Sequence, residues 1–74
     1  MTTFNYNINM SETINTKEYK VMFKFGAWLS KDTFAAESDA EAIFDADAIV
    51  NNSNLKNWQN GVALWCGNRI VKQY

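Results

Sequence analysis

The residues of this chain best suited to chemistry are its carboxylates, and most of them lie in one segment. Six of the eight acidic residues fall between positions 32 and 47, and no lysine or arginine occurs between Asp32 and Lys56. Asp45 and Asp47 have the spacing of the first ligands of a calcium loop, but the loop glycine and the closing glutamate are missing. We therefore expect no metal ion and no other cofactor.

Two roles remain open for this acidic segment. Carboxylates near the start of a helix interact favourably with its dipole, so they can form a solvated surface with no further role. Alternatively, they can recognise a basic groove on a partner and steer the association electrostatically.

The residues that usually perform catalysis are scarce. The chain has no histidine, which is the usual general base and a frequent metal ligand. Cys66 is the single cysteine, so it has neither an internal disulfide partner nor a histidine to activate it. The sequence therefore predicts a protein that is not an enzyme.

Hydropathy and the N-terminal residues bear on location. We find no secretion signal, and the longest apolar run, from Val62 to Cys66, is far shorter than the roughly 20 residues that cross a bilayer. We therefore expect a cytoplasmic protein without a membrane partner.

Composition indicates one globular domain spanning residues 1–74. Hydrophobic residues make up 47% of the chain and aromatic residues 15%. The core of a 74-residue domain cannot easily bury so many aromatic rings, so we expect some of them on the surface. Exposed aromatic residues indicate a surface that binds a partner.

Three segments alternate apolar and polar residues with the period of a β-strand. Residues 4–10 (FNYNINM) form the first, and residues 18–25 (EYKVMFKF) form the second. The third, residues 27–37, is either regular or bulged or interrupted at 30–32. Its register stays open, because Trp28 and Leu29 are adjacent and cannot both face inward.

A helix is predicted to follow. Ser38 and Glu41 have the spacing of a capping box, and the helix should end near Asn51 or Asn52. Its buried stripe consists of Ala42, Ile43, Ala46, Ile49 and Val50. Phe44 lies outside this stripe, among the carboxylates. It is either an exposed anchor for a partner or is covered by the loop that contains Leu55 and Trp58.

A hairpin should complete the domain, with its turn at Gly67-Asn68. Two apolar pairs then face opposite sides: Trp65 with Ile70, and Leu64 with Val71. Because one helix cannot cover both sides, we expect a partner on one of them. A homodimer through Trp65, Ile70 and Tyr74 is one such possibility.

These elements give the order βββαββ and an α+β fold, with an antiparallel sheet of four or five strands and one helix packed on it. The candidate partner-binding residues are Glu41, Phe44, Asp45, Asp47, Trp58 and Trp65. Lys20 and Lys24 share one side of the second strand, but with seven basic and eight acidic residues in the chain, direct nucleic-acid binding is not expected.

Residues 18–74 contain a strand hairpin, then the stretch FAAESDAEAIFDA, then the stretch VALWCGNRIVKQY. This order of elements resembles that of small phage-encoded accessory proteins. Among these it is most similar to the anti-CRISPR inhibitors. The resemblance implies a non-enzymatic inhibitor in the host cytosol that binds a host defence protein such as a Cas effector. The stretch YKVMFKFGAW also looks similar to phage antitoxins that inhibit host RNase toxins. Neither likeness assigns a role to a particular residue.

Overall fold

The computed structural model describes residues 15–74, which form a four-stranded antiparallel sheet and one α-helix. The elements are β1 (Lys17–Phe25), β2 (Ala27–Ala36), α1 (Asp39–Asn51), a 3₁₀ helix (Asn54–Asn57), β3 (Val62–Cys66) and β4 (Arg69–Gln73). The strand order in the sheet is β2-β1-β3-β4. The predicted α+β class is confirmed, while the strand predicted for residues 4–10 lies outside the described residues.

The irregularity predicted in the third strand is a β-bulge at Lys31. Val21 of β1 pairs with Asp32 and Met22 pairs with Ser30, so Lys31 has no opposite residue. Because a bulge shifts the alternation of side chains by one position, Trp28 lies on the opposite side of the sheet from α1, beside Lys24.

Helix α1 begins and ends where its capping residues predict. The Ser38 hydroxyl oxygen accepts the Glu41 N–H at 3.2 Å. The Glu41 carboxylate accepts the N–H of Glu37 at 2.6 Å, one residue earlier than in a regular capping box. At the other end the Asn52 N–H donates to the carbonyl of Ala48.

The core lies between α1 and one side of the sheet. Tyr19, Val21 and Leu64 are its largest fully buried side chains, and burial of Val21 or Leu64 contributes about 1.5–3 kcal/mol. The predicted stripe of α1 is confirmed: three residues are buried and two are partly buried against this core, namely Ala42, Ala46 and Val50, then Ile43 and Ile49.

The β3–β4 hairpin forms around Gly67, whose φ of +61° is in the left-handed region that favours glycine. Trp65 pairs with Ile70 as predicted. The predicted pairing of Leu64 with Val71 is wrong, because Val71 is an extra residue in a bulge and Leu64 pairs with Lys72.

This bulge also corrects the predicted apolar set of Trp65, Ile70 and Tyr74. Beyond Val71 the alternation is reversed, so Lys72 and Tyr74 reach Asp47 of α1 while Ile70 stays on the opposite side with Trp65. The side of the hairpin that faces α1 is therefore lined in part by charged and hydroxyl groups.

In the part of the chain that the structure describes, no helix has the length and hydrophobicity that a membrane span requires.

Candidate functional site

Phe44 projects from the outer face of α1, away from the sheet. Its side chain is 77% exposed, the largest exposed fraction among the large hydrophobic residues that the structure describes. The residues one helical turn away on either side are Ala40 and Ala48, whose small side chains leave the ring standing above the helix surface. A partner could therefore approach the ring closely.

The loop after α1 does not cover Phe44, so the predicted alternative in which Leu55 and Trp58 shield the ring is wrong. Leu55 is buried in the core. Trp58 packs against β1, where its ring meets Phe23 edge-on at 5.4 Å and Phe25 at 6.0 Å. The Trp58 indole N–H donates to the carbonyl of Lys24 at 2.9 Å. Trp58 thus fastens the loop to the sheet, and its contacts lie away from the outer face of α1.

Carboxylates surround Phe44 on the helix. Glu41 and Asp47 are three residues before and after it, which places them beside the ring. Asp45 is exposed and forms no hydrogen bond or salt bridge with any residue in the described range 15–74. Asp45 can therefore contact a partner without breaking a bond within that range.

Asp47 is held by the sheet. Its Oδ1 accepts the Tyr74 hydroxyl at 2.6 Å and the Lys72 ammonium at 3.0 Å. The hydrogen bond from Tyr74, followed by that from Lys72, lowers the pKa of Asp47 below its ordinary value. The side chain remains 40% exposed, so the carboxylate is both anchored and accessible.

Asp39, eight residues earlier on α1, has an equivalent arrangement. The guanidinium of Arg69 contacts both carboxylate oxygens, at 3.0 and 3.2 Å, and the Tyr19 hydroxyl donates at 2.8 Å. The bonds from Arg69 and then Tyr19 lower the pKa of Asp39, and the bond to Asp39 raises the pKa of Tyr19 to about 12. Two carboxylate contacts therefore fix α1 to β4.

The four carboxylates of α1 thus divide into two groups. Asp39 and Asp47 orient the helix on the sheet, while Glu41 and Asp45 face solvent beside Phe44. Exposed ion pairs contribute little to stability, so the effect of these two contacts is mainly to set the position of the helix. No local pattern predicts these two ion pairs, because their partners are 30 and 25 positions apart in the chain.

Trp65 lies on the sheet face opposite α1, so it is not part of the surface around Phe44. Its ring meets that of Trp28 edge-on at 5.6 Å. A groove of about 340 Å³ runs along this face, lined by Glu18, Lys20, Met22, Trp28, Trp65 and Gly67. We call this the sheet groove. The Trp65 indole nitrogen is buried and has no hydrogen-bond partner among residues 15–74.

The groups that could hold a metal ion are dispersed. Within the described residues no three His, Cys, Asp or Glu side chains are grouped as metal ligands. Cys66 is a partly buried free thiol. The arrangement that stands out chemically is an apolar ring within an acidic rim, which is suited to molecular recognition.

Comparison with protein-family models, with curated proteins and with solved structures gave no significant match to this chain.

Proposed function

We propose that this protein is a non-enzymatic binding protein and that the outer face of α1 is its docking surface. Phe44 is the anchor, and Glu41, Asp45 and the accessible part of Asp47 form the rim. The observation that carries the proposal is the 77% exposure of Phe44 on a helix whose other large apolar residues are turned toward the core. An aromatic anchor with a charged rim is the usual composition of a binding hot spot.

The chemistry of this surface defines its partner. An exposed ring requires an apolar pocket, and accessible carboxylates around it are complemented by lysine or arginine side chains. The partner is therefore a protein with a basic groove. Steering by the carboxylates makes the association rate fall as salt is added, because screening weakens the attraction between exposed charges.

The contacts of α1 with β4 support this role. Because Asp39 and Asp47 are bonded to Arg69 and Lys72, the helix carries its outer face in one orientation. A surface that is already ordered loses less conformational entropy on binding than a mobile one.

In its narrower form, we propose that the partner is a host defence protein and that the chain is a phage-derived inhibitor of the anti-CRISPR type, acting in the host cytosol. This form rests on the resemblance in element order. Occupation of a basic groove by carboxylates would exclude the phosphates of a nucleic acid from the same groove.

The experiment is affinity capture from lysates of bacteria that express CRISPR effectors, with three forms of the protein as bait. Wild-type protein and the Leu29→Ala variant should retain the same partner, and the Phe44→Ala variant should lose it. Leu29 is the matched control because it is an exposed apolar residue, 42% accessible, on β2. Equal retention by all three baits would rule out the α1 surface.

The narrower form has its own test. Expression of the protein should restore plaque formation by a phage that the host's CRISPR system targets. If capture succeeds with a different class of protein and plaque formation is not restored, the docking surface stands and the anti-CRISPR role is excluded.

A further inference from the structure

The sheet face opposite α1 carries a second surface that the docking role of Phe44 does not use. Lys20 on β1 lies on this face because it stands between the buried residues Tyr19 and Val21, and Lys24, four positions later in the strand, faces the same side. Trp28 of β2 pairs with Lys24, and Trp65 of β3 pairs with Lys20. The register of the sheet thus brings two lysines and two tryptophans together.

The acidic residues are distributed unevenly between the two sides of the sheet. The acidic residues of α1 and of the turn before it belong to the helix layer: Glu37, Asp39, Glu41, Asp45 and Asp47. On the opposite side, Glu18 is the acidic residue that lines the sheet groove. A net charge of −1 for the whole chain therefore hides a lysine-bearing face.

The aromatic residues form part of the wall of this groove. Trp28 and Trp65 are both half-buried, so each ring keeps some accessible surface. The Lys24 ammonium lies 6.0 Å from the centre of the Trp28 ring, within range of a cation–π contact. At the hairpin end a Cβ added at Gly67 would meet no atom within 4 Å, so there is free space at this residue.

From this arrangement we propose that the sheet groove binds single-stranded nucleic acid. Unpaired bases stack on Trp28 and Trp65, and Lys20 and Lys24 neutralise the phosphates that flank them. Base stacking on aromatic side chains beside a basic groove is the general mode by which proteins bind single strands without sequence preference. Duplexes are poor ligands for such a face because their bases are already stacked.

A second copy of the chain fits this face less well. A two-fold interface brings the same patch of each copy together, so it would bring the lysine pair of one copy close to the lysine pair of the other. Like charges facing each other oppose association. A polyanion, by contrast, complements both lysines.

The test is fluorescence anisotropy of a labelled oligothymidylate of about 12 nucleotides, titrated with the full chain at several salt concentrations. Two neutralised phosphates give a slope of about −1.4 for the logarithm of the binding constant against the logarithm of salt. That slope is about a sevenfold loss of affinity between about 50 and 200 mM salt. Bound oligonucleotide should also change the tryptophan fluorescence.

The variants separate this site from a general charge effect. Lys20→Gln with Lys24→Gln should abolish binding. Lys17→Gln with Lys56→Gln changes the net charge equally and should leave binding intact, because Lys17 pairs with the buried Ala36 on the helix side and Lys56 lies on the 3₁₀ helix. Both lysines of each pair are exposed, so the fold should tolerate all four substitutions.

Three results would overturn the inference: no anisotropy change at low salt, equal binding by the two double variants, or a dimer in sedimentation equilibrium that is lost when Trp65 or Ile70 is substituted. The last would assign the face to a second copy. None of them bears on Phe44, which lies on the other side of the sheet.

Discussion

Asp47 and Tyr74 are joined by a hydrogen bond of 2.6 Å from the tyrosine hydroxyl to Oδ1 of the carboxylate. This bond connects Tyr74, the residue after β4, to helix α1. Together with the contact between Arg69 and Asp39 it fixes α1 at two points separated by eight residues of helix. The orientation of Phe44, which lies between these points, follows from both contacts.

The two contacts should make stability depend on acid pH. Both carboxyl groups have a pKa below the ordinary value in the folded chain. The contribution of Asp39 and Asp47 to the stability of the fold is therefore present at neutral pH. It is lost as pH falls from about 5 toward 2, because the carboxyl groups of the unfolded chain bind protons at a higher pH than those of the folded chain. Urea denaturation across this range should show a steeper loss for wild-type protein than for a variant with Asp39→Asn and Asp47→Asn.

Asp45→Asn is the matched control, because Asp45 has no bonded partner in the described range. It removes one charge and should leave the acid dependence near that of wild type. An acid dependence that is unchanged in the double variant would contradict a bonded role for Asp39 and Asp47.

Tyr19 should titrate far above an ordinary tyrosine. The hydrogen bond to Asp39, with burial, raises its pKa to about 12. Because this pKa is raised, the hydrogen bond between Tyr19 and Asp39 contributes fully to stability below about pH 10, and its contribution is lost as pH rises toward 12. NMR of tyrosines labelled at Cζ resolves the signal of each tyrosine and measures the pKa of Tyr19 directly.

Asp39→Asn should lower the pKa of Tyr19 and leave that of Tyr74 unchanged, because Tyr74 is bonded to Asp47. Titration of Tyr19 near pH 10 in the wild-type protein would show that the bond to Asp39 does not form in solution.

Local patterns in the sequence predict most of the fold. Ser38 and Glu41 locate the start of α1, and the irregularity expected at residues 30–32 is the bulge at Lys31. These features depend on residues that are close in the chain, where capping and side-chain alternation operate.

The hairpin register and the role of the carboxylates could not be predicted in the same way. The bulge at Val71 shifts the pairing of β4 with β3 by one residue, and this shift determines which side of the sheet Lys72 and Tyr74 face. No turn residue signals it, because Gly67-Asn68 is compatible with either register. The contact between Asp39 and Arg69 depends on where α1 lies on the sheet. The spacing of apolar residues in the sequence does not predict that position.

Gly61 lies close to the ring of Trp28. Its φ is +129°, and an added Cβ would lie 3.4 Å from the Trp28 ring. Gly61→Ala should destabilise the protein by about 1–3 kcal/mol through backbone strain and should also shift the tryptophan emission.

Gly26→Ala provides the comparison, because Gly26 also has a positive φ, +78°, but an added Cβ there meets no atom within 4 Å. It should reduce stability without changing the emission. Identical spectra for the two variants would contradict the contact between Gly61 and Trp28.

Phe44 should contribute little to folding. Substitution of an exposed helix residue by alanine changes stability by no more than about 0.5 kcal/mol. Leu64→Ala, at a fully buried position, should cost about 2–5 kcal/mol. Urea denaturation at neutral pH measures both. A large loss with Phe44→Ala would mean that the ring packs within the fold, and a docking role would then lack its basis.

The most direct test of a docking role for Phe44 is the affinity of the captured partner for wild-type protein, Phe44→Ala and Leu29→Ala, measured by surface plasmon resonance. A central anchor contributes at least about 2 kcal/mol, so Phe44→Ala should weaken binding by about 30-fold or more. Leu29→Ala should bind as wild type does. Equal affinity for all three proteins, or no captured partner at all, would contradict the assignment of the outer face of α1 as the docking surface.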